Sequence, residues 1–173
     1  LRMSARRIVF GKFLNSGQTC VAPDYVYCAS SIKDRLVEEL TREINRQYGD
    51  ALNNEKYPRM INLKQFNVMK GFINDENLIF GGKSDEKTLK IQPTLISSTF
   101  ESEAMQDEIF GPILPIVTFD SLDECEENIR RYPKPLALYI FSKDKKVQRR
   151  FAINCDFGGG CINDTIMHIA DSR

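Results

Sequence analysis

The sequence predicts an α/β domain with a largely parallel sheet flanked by helices. Helix and strand patterns alternate along the chain, and the strand patterns are apolar rather than alternating, as in strands covered on both faces. The 173 residues are enough for one domain with a sizeable core. Internal repeats, low-complexity stretches and Gly/Ser linkers are not found in the sequence, so we expect one domain over residues 1–173.

Three elements are predicted in the first part of the chain. Apolar residues three and four positions apart predict a helix within residues 1–13. An apolar strand follows over residues 25–29. The next helix is expected to begin near Ser31, whose spacing from Asp34 resembles a capping box, and to end at Gly49.

The middle of the chain predicts a helix and two extended segments. The helix begins around Asn62 and carries apolar residues on one face. A strand over residues 78–80 ends in a Gly-Gly turn. Residues 89–97 are also extended, and Pro93 within them predicts an edge or irregular strand because proline cannot donate to a ladder.

Strands and helices continue to alternate in the last part of the chain. A near-continuous apolar run over 113–119 predicts a buried strand, and a capping box at Ser121 opens a helix. Residues 137–141 predict another buried strand. Asp144 caps a further helix, and Gly158–Gly160 predict a turn.

Composition limits the possible partners and compartments. The formal net charge is zero and there is no basic block, so nucleic acid and anionic membranes are not expected partners. No apolar run approaches the roughly 20 residues that span a bilayer. Five cysteines without a Cys-x-x-Cys pattern argue against a disulfide framework and against a zinc site. We therefore expect no metal and a reducing, cytoplasmic location.

Four of the five cysteines are predicted to be structural. Cys28 lies in an apolar strand pattern and Cys125 on the apolar face of a helix, so both are expected to be packing residues. Cys155 and Cys161 flank the Asp-Phe-Gly-Gly-Gly turn and are expected to be structural rather than redox-active.

Cys20 is the candidate nucleophile. It follows Gly17 and Gln18 at a junction between a helix pattern and a strand pattern, where a thiol is accessible to solvent and close to free backbone N–H groups. Such groups favour the thiolate and can hydrogen-bond an oxyanion. A lone cysteine is more often a small core residue, but the polar and flexible residues before Cys20 are unlike a core strand.

Two more segments accompany the cysteine. Glu-Ile-Phe-Gly-Pro at 108–112 precedes the apolar run, and Ile162–His168 lies near the end of the chain. Together with the segment from Phe13 to Asp24, these residues resemble the aldehyde dehydrogenase superfamily, and in particular its class 3-like branch. The resemblance spans nearly the whole chain and implies the catalytic, cysteine-bearing domain of that fold.

The resemblance implies a function and a set of site residues. Cys20 would be the nucleophile that oxidises an aldehyde to a carboxylic acid through a thiohemiacetal and a thioester. Glu108 would accept hydrogen bonds from the ribose hydroxyls on the nicotinamide side of NAD or NADP, and Phe110 would pack beside the nicotinamide. The implied substrates are medium-to-long aliphatic or aromatic aldehydes, and the implied assembly is a homo-oligomer, expected to be a dimer.

Several parts of the family pattern are not found in this sequence. The Glu-Leu-Gly-Gly-Lys segment with the general base, the upstream Asn at the oxyanion and the downstream Pro-Phe-Gly-Gly segment have no counterpart. The sequence also begins at Leu1 inside a helix pattern. We therefore expect a catalytic-domain fragment truncated at both ends, without most of the cofactor site and with little or no activity alone.

Three other functions remain open from the sequence. A CoA-acylating dehydrogenase would release the thioester to a thiol instead of to water. A hydrolase or acyltransferase would pair Cys20 with His168, the only histidine. A non-catalytic protein would keep the fold for assembly alone.

Overall fold

A computed structural model describes residues 1–170, and its architecture is the predicted mixture of strands and helices. The helices are α1 (Arg2–Phe13), α2 (Lys33–Tyr48), α3 (Leu63–Gly71), α4 (Leu122–Arg131) and α5 (Lys145–Asn154). The strands are β1 (Val26–Ala29), β2 (Leu78–Phe80), β3 (Ser84–Asp85), β4 (Lys90–Ile91), β5 (Thr94–Ser97), β6 (Ile113–Phe119), β7 (Ala137–Ile140) and β8 (Gly159–Ile162). Residues 171–173, at the end of the predicted domain, lie outside the described residues.

The main sheet has four strands in the order β1-β6-β5-β2. The central strand β6 runs parallel to both β1 and β5, and β2 is antiparallel at the edge. Strands β7 and β8 form a separate parallel pair, while β3 and β4 form a short antiparallel pair. The predicted largely parallel sheet is confirmed. It brings β1, which follows Cys20, and β6, which follows the Glu108 motif, into neighbouring positions.

Helix capping follows the sequence at three of the predicted N-termini. The side chains of Asn62, Ser121 and Asp144 accept backbone N–H hydrogen bonds at 2.9, 3.1 and 2.7 Å, respectively. Each bond satisfies one of the N–H groups that the first helical turn leaves without an intrahelical partner. The predicted starts of α3, α4 and α5 are therefore confirmed.

The predicted capping box at Ser31 is wrong. Residues Ser30–Ile32 form a short 3₁₀ turn, and α2 begins after Ile32, which offers no side-chain cap. The turn shifts the helix start past the serine. The predicted end at Gly49 is confirmed, since this glycine has a positive φ of 51° at the C-cap.

The extended segment 89–97 is two strands rather than one. Pro93 separates β4 from β5, so the proline lies outside both ladders and removes no donor from them. Of the two predicted alternatives, the irregular strand is confirmed by this interruption, whereas the edge position is wrong for β5, which is an interior strand between β6 and β2.

The glycines at 158–160 are not a simple turn, because Gly159 and Gly160 begin β8. A Cβ on Gly160 would lie 2.1 Å from the carbonyl oxygen of Leu138 in β7. The close approach of the two backbones therefore requires glycine at this position. The preceding strand ends at Ile140 rather than Phe141 and is largely half-buried instead of buried.

Three hydrophobic clusters hold these elements together. The first lies between α1, α2 and the sheet, and the second lies around α3 and β6. The third, smaller cluster joins α4, β7 and α5 and contains Cys125 and Cys155. Cys28 is buried in the first cluster, so the predicted packing roles of Cys28 and Cys125 are confirmed. No helix within residues 1–170 is long and apolar enough to cross a membrane.

Candidate active site

Cys20 lies on an exposed loop between α1 and β1. The loop begins with the 3₁₀ turn Leu14–Gly17, in which Asn15, Ser16 and Gly17 have φ values of 52°, 57° and 74°. A left-handed conformation costs about 1 kcal/mol or more at a residue other than glycine, and such strain concentrates at functional sites. Surrounding contacts must therefore hold the loop, and they leave the thiol accessible to solvent.

Gln18 clamps this loop to the segment before α3. Its Nε2 donates to the carbonyl oxygen of Arg59 at 3.1 Å, and its Oε1 accepts from the N–H of Ile61 at 2.9 Å. A glutamine can make both bonds at once because its amide carries a donor and an acceptor. The sequence indicated only that Gln18 is polar, whereas the structure shows it as an anchor two positions before Cys20.

The nucleophile loop and the second motif are in direct backbone contact. A Cβ on Gly17 would lie only 2.2 Å from the carbonyl oxygen of Gly111. A Cβ on Gly111 would lie 2.2 Å from the sulfur of Met69 in α3. Two glycines are therefore needed for the loop, the motif and α3 to pack at these distances. The structure thus brings the two predicted site segments together.

The second motif is fixed through the backbone of Ile109, which is itself fully buried. Oδ1 of Asp24 accepts a hydrogen bond from the Ile109 N–H at 3.1 Å, and Gln65 Nε2 donates to the Ile109 carbonyl oxygen at 3.3 Å. On either side of this anchor, Glu108 is exposed and Phe110 is half-buried. Phe110 has a positive φ of 50°, so the chain changes direction at the residue predicted to face the cofactor.

Lys12 is a site residue that sequence reasoning missed. Its side chain belongs to α1 and is only 1% exposed, and burial lowers its pKa to about 8. The nearby carboxylates of Asp24 and Glu108 oppose this shift in the pKa of Lys12. A lysine in a basic helix normally indicates a solvated surface, so its burial beside two acids had no signal in the sequence.

The pKa values of Asp24 and Glu108 are shifted by the same surroundings. Burial raises the pKa of Asp24, while Lys12 and the hydrogen bond from Ile109 lower it. Glu108 is exposed overall, but partial burial of its carboxyl group raises its pKa, repulsion from Asp24 adds to this, and Lys12 lowers it. One cation and two carboxylates therefore form a coupled electrostatic group that links the nucleophile segment to the cofactor motif.

Tyr139 connects the β7–β8 pair to the nucleophile loop. Its hydroxyl donates to the carbonyl oxygen of Val21 at 2.6 Å, one residue after Cys20. Burial raises the pKa of Tyr139 to about 12, so the hydroxyl stays a donor even at alkaline pH, where an exposed tyrosine would lose its proton.

His168 contacts a different cysteine from the one predicted for a hydrolase. Its Nδ1 lies 3.8 Å from the sulfur of Cys161, within the 3₁₀ turn Met167–Ile169 that follows β8. The hydrogen-bond partner of His168 is thus Cys161, and no hydrogen bond joins His168 to Cys20 among the described residues. Within residues 1–170, no group of three or more His, Cys, Asp or Glu side chains is placed to hold a metal ion.

The fold and the paired motifs are those of a known enzyme family. The sequence model of the aldehyde dehydrogenase family matches residues 1–172, and the chain belongs to this family. The chain is 45% identical over 177 residues to the 4,4'-diaponeurosporen-aldehyde dehydrogenase of Staphylococcus aureus, a match covering 100% of this chain and 39% of the relative. It is 44% identical to the dimeric, NADP-preferring aldehyde dehydrogenase of Rattus norvegicus, covering 98% of this chain and 38% of the relative.

A solved structure agrees with these relatives. The substrate-bound AldH of Staphylococcus aureus superposes with a TM-score of 0.93 at 45% identity, covering 98% of this chain and 38% of that chain. The chain thus spans less than half the length of these relatives. The resemblance inferred from the motifs is confirmed at the level of the family.

Proposed function

We propose that this chain is the catalytic domain of an NAD(P)-dependent aldehyde dehydrogenase and that Cys20 is its nucleophile. The observation that carries the proposal is the backbone contact between Gly17 and Gly111. Through this contact, the loop that carries the exposed thiol of Cys20 lies against the motif that contains Glu108 and Phe110. Membership of the family supports aldehyde oxidation, whereas the roles of the individual residues are our inference.

The proposed reaction begins at the exposed thiol of Cys20. The thiolate adds to the carbonyl carbon of the aldehyde, and the backbone N–H of Cys20 hydrogen-bonds the oxyanion of the resulting thiohemiacetal. Loss of hydride from this adduct gives a thioester, and water then releases the carboxylic acid. The nicotinamide, when bound, supplies the hydride acceptor.

Two residues of this chain suit the nicotinamide side of the cofactor. The carboxylate of Glu108 is exposed and can accept hydrogen bonds from two ribose hydroxyls at once. The half-buried ring of Phe110 offers an apolar face next to it. The hydrogen bonds that the Ile109 backbone donates to Asp24 and accepts from Gln65 would hold both neighbouring side chains in place, so they need not be ordered when the cofactor binds.

The substrate, the cofactor preference and the assembly are proposed from the resemblance and from the relatives' names. One relative is named for the aldehyde of 4,4'-diaponeurosporene and another as dimeric and NADP-preferring. We accordingly propose medium-to-long aliphatic or aromatic aldehydes, NAD or NADP, and a homodimeric parent in the cytoplasm. Low activity of residues 1–173 alone is part of the proposal, since the general base is not assigned within this chain.

The test is NAD(P)H formation from a panel of aldehydes. The 173-residue chain and the longest natural polypeptide that contains it are compared, each as wild type and as Cys20→Ser. We expect activity from the longer polypeptide and a loss on the order of 10³-fold or more in Cys20→Ser, because the alcohol is a far weaker nucleophile. Matching unfolding curves would show that the substitution leaves the fold intact. Activity that is indifferent to Cys20 would refute the proposal.

The same assay separates the other functions. Addition of CoA would yield an acyl-CoA product if a thiol, rather than water, resolved the thioester. A Cys20–His168 hydrolase is not favoured by the structure, because His168 hydrogen-bonds Cys161. Absence of turnover with every aldehyde and both cofactors would favour a non-catalytic role in assembly.

A further inference from the structure

A thiol and an imidazole outside the Cys20 site are held against each other. Cys161 in β8 and His168 in the following turn approach to 3.8 Å between Sγ and Nδ1, within the range of a sulfur hydrogen bond. With its hydrogen on Nε2, the imidazole can accept the thiol proton at Nδ1. A nucleophile next to a base is the arrangement that activates a weak nucleophile.

The imidazole of His168 packs against Gly159 and Tyr139, which lie on the same face of the β7–β8 pair. A Cβ on Gly159 would lie 2.8 Å from Cδ2 of His168, so the glycine leaves the space that the ring occupies. The ring of Tyr139, which is in register with Cys161, lies 5.7 Å from that of His168 between centroids. The orientation of the His168 ring is thus fixed by these neighbours as well as by its contact with the Cys161 thiol.

The loop that returns His168 to Cys161 is also fixed. The amide of Asn163 makes two hydrogen bonds with the backbone of Ser142, each 3.0 Å long. The buried hydroxyl of Thr165 donates to the carbonyl oxygen of Arg7 in α1 at 2.8 Å. Asn163 and Ile166 have positive φ values of 58° and 50°, so this loop stores strain as the nucleophile loop does.

The pair remains accessible and lies close to the nucleophile loop. Cys161 and His168 are both half-buried and so remain partly accessible, whereas Cys28, Cys125 and Cys155 are buried. Tyr139 contacts the His168 ring and also donates to the carbonyl oxygen of Val21, next to Cys20. Tyr139 therefore links the Cys161–His168 pair to the loop that carries Cys20.

We propose that Cys161 and His168 form a second nucleophilic site, which adds covalently to α,β-unsaturated aldehydes. The choice of an aldehyde rests on the proposed function, since such compounds would be drawn to this surface as substrates. His168 takes the thiol proton, and the Cys161 sulfur forms a bond to the β-carbon of the alkene. The alkene π pair moves to the α-carbon, which receives the proton, and the aldehyde group is retained. No oxidant or reductant is consumed.

The experiment measures the rate of adduct formation at each cysteine of the whole 173-residue chain. Wild type, Cys20→Ser, His168→Phe and His168→Asn are treated with trans-2-hexenal, reduced with borohydride, digested and analysed by mass spectrometry. We expect a Cys161 adduct in wild type and in Cys20→Ser. In both His168 variants, the rate of adduct formation at Cys161 should fall by at least about tenfold. The rate at Cys20 should be the same with and without His168. Saturated hexanal should leave no stable adduct on any cysteine, because it has no alkene carbon for a thiol to add to, and the lysine adducts that borohydride fixes are not counted.

The controls and outcomes separate this inference from a loss of structure. Cys28, Cys125 and Cys155 should stay unmodified wherever the fold is intact. An unmodified Cys161, or an adduct that forms equally fast without His168, would overturn the proposal. A rate lowered in His168→Phe but kept in His168→Asn would overturn the role of the imidazole as proton acceptor. Because the addition needs no nicotinamide, a Cys161 adduct in a protein that oxidises no aldehyde would refute the proposed function alone.

Discussion

At the scale of single residues, backbone strain marks the site segments. The described residues include six non-glycine positions with positive φ, namely Asn15, Ser16, Leu89, Phe110, Asn163 and Ile166. All except Leu89 lie in the nucleophile loop, the Glu108 motif or the segment before His168. Each costs free energy that neighbouring contacts must offset, so their clustering indicates that these loops are held for function.

Because Lys12 is buried, the free energy of unfolding should rise with pH in the alkaline range. Burial lowers its pKa in the folded chain to about 8, from 10.5 when unfolded, so between these values the unfolded chain binds more protons than the folded one. The free energy of unfolding must therefore rise with pH through this window. Relative to Lys12→Met, wild type should gain up to about 3 kcal/mol from pH 8 to pH 10.5.

Urea unfolding at several pH values in this window would measure that gain. Lys64→Met removes an exposed lysine from α3 and controls for the change in net charge. If the unfolding free energies of wild type and Lys12→Met ran parallel across the window, Lys12 would not be a desolvated cation in the folded chain.

At the scale of the elements, local patterns predicted where most helices begin. Asn62, Ser121 and Asp144 cap their helices as expected, because a cap depends on residues within one turn. Ser31 and Asp34 have the spacing of a capping box, yet the chain forms a 3₁₀ turn through Ser31 and the helix begins later. The spacing of a capping box is thus not sufficient for a cap.

Two serine substitutions should separate a real cap from an apparent one. Ser121→Ala removes the acceptor for the Glu124 N–H and should lower the free energy of unfolding by about 1 kcal/mol. Ser31→Ala removes an exposed hydroxyl that caps no helix and should change it by less than about 0.5 kcal/mol. Chemical denaturation of both variants gives the comparison, and equal losses would contradict the assignment of these helix starts.

At the scale of the whole molecule, the site depends on the contact between segments far apart in the chain. The nucleophile loop, the Glu108 motif and α3 meet at Gly17, Gly111 and Met69. A hydrogen bond between Asp24 and Ile109 also joins the nucleophile segment to the Glu108 motif, and those of Gln18 and Tyr139 connect the junction to the segment before α3 and to β7. Packing, rather than any single element, therefore sets the geometry of Cys20 and Glu108.

Gly17→Ala tests this junction. The new Cβ would meet the Gly111 carbonyl oxygen at 2.2 Å, on a residue whose φ is +74°, and neither backbone can move without breaking the contact. We expect a loss of about 2 kcal/mol or more in the free energy of unfolding. Gly71→Ala is the matched control, since a Cβ there would meet nothing within 4 Å and alanine favours the end of α3. Equal stability of the two variants in urea would show that the motifs do not abut.

The α/β class, the positions of most elements and the family could be predicted from the sequence alone. These features depend on periodicity, caps and short motifs, all of which are local. The sequence also indicated that Cys20 is accessible, because polar and flexible residues precede it. The roles proposed for Cys20, Glu108 and Phe110 remain predictions.

The residues that surround these motifs, in contrast, became known only from the folded chain. The burial of Lys12 beside Asp24 and Glu108, the interior position of β5 and the pairing of His168 with Cys161 depend on distant segments. A lysine in a basic helix has the same local pattern whether it faces water or the core, and a histidine after a glycine-rich strand does not specify which thiol it will meet. Such contacts are fixed by how the whole chain packs, which local patterns do not encode.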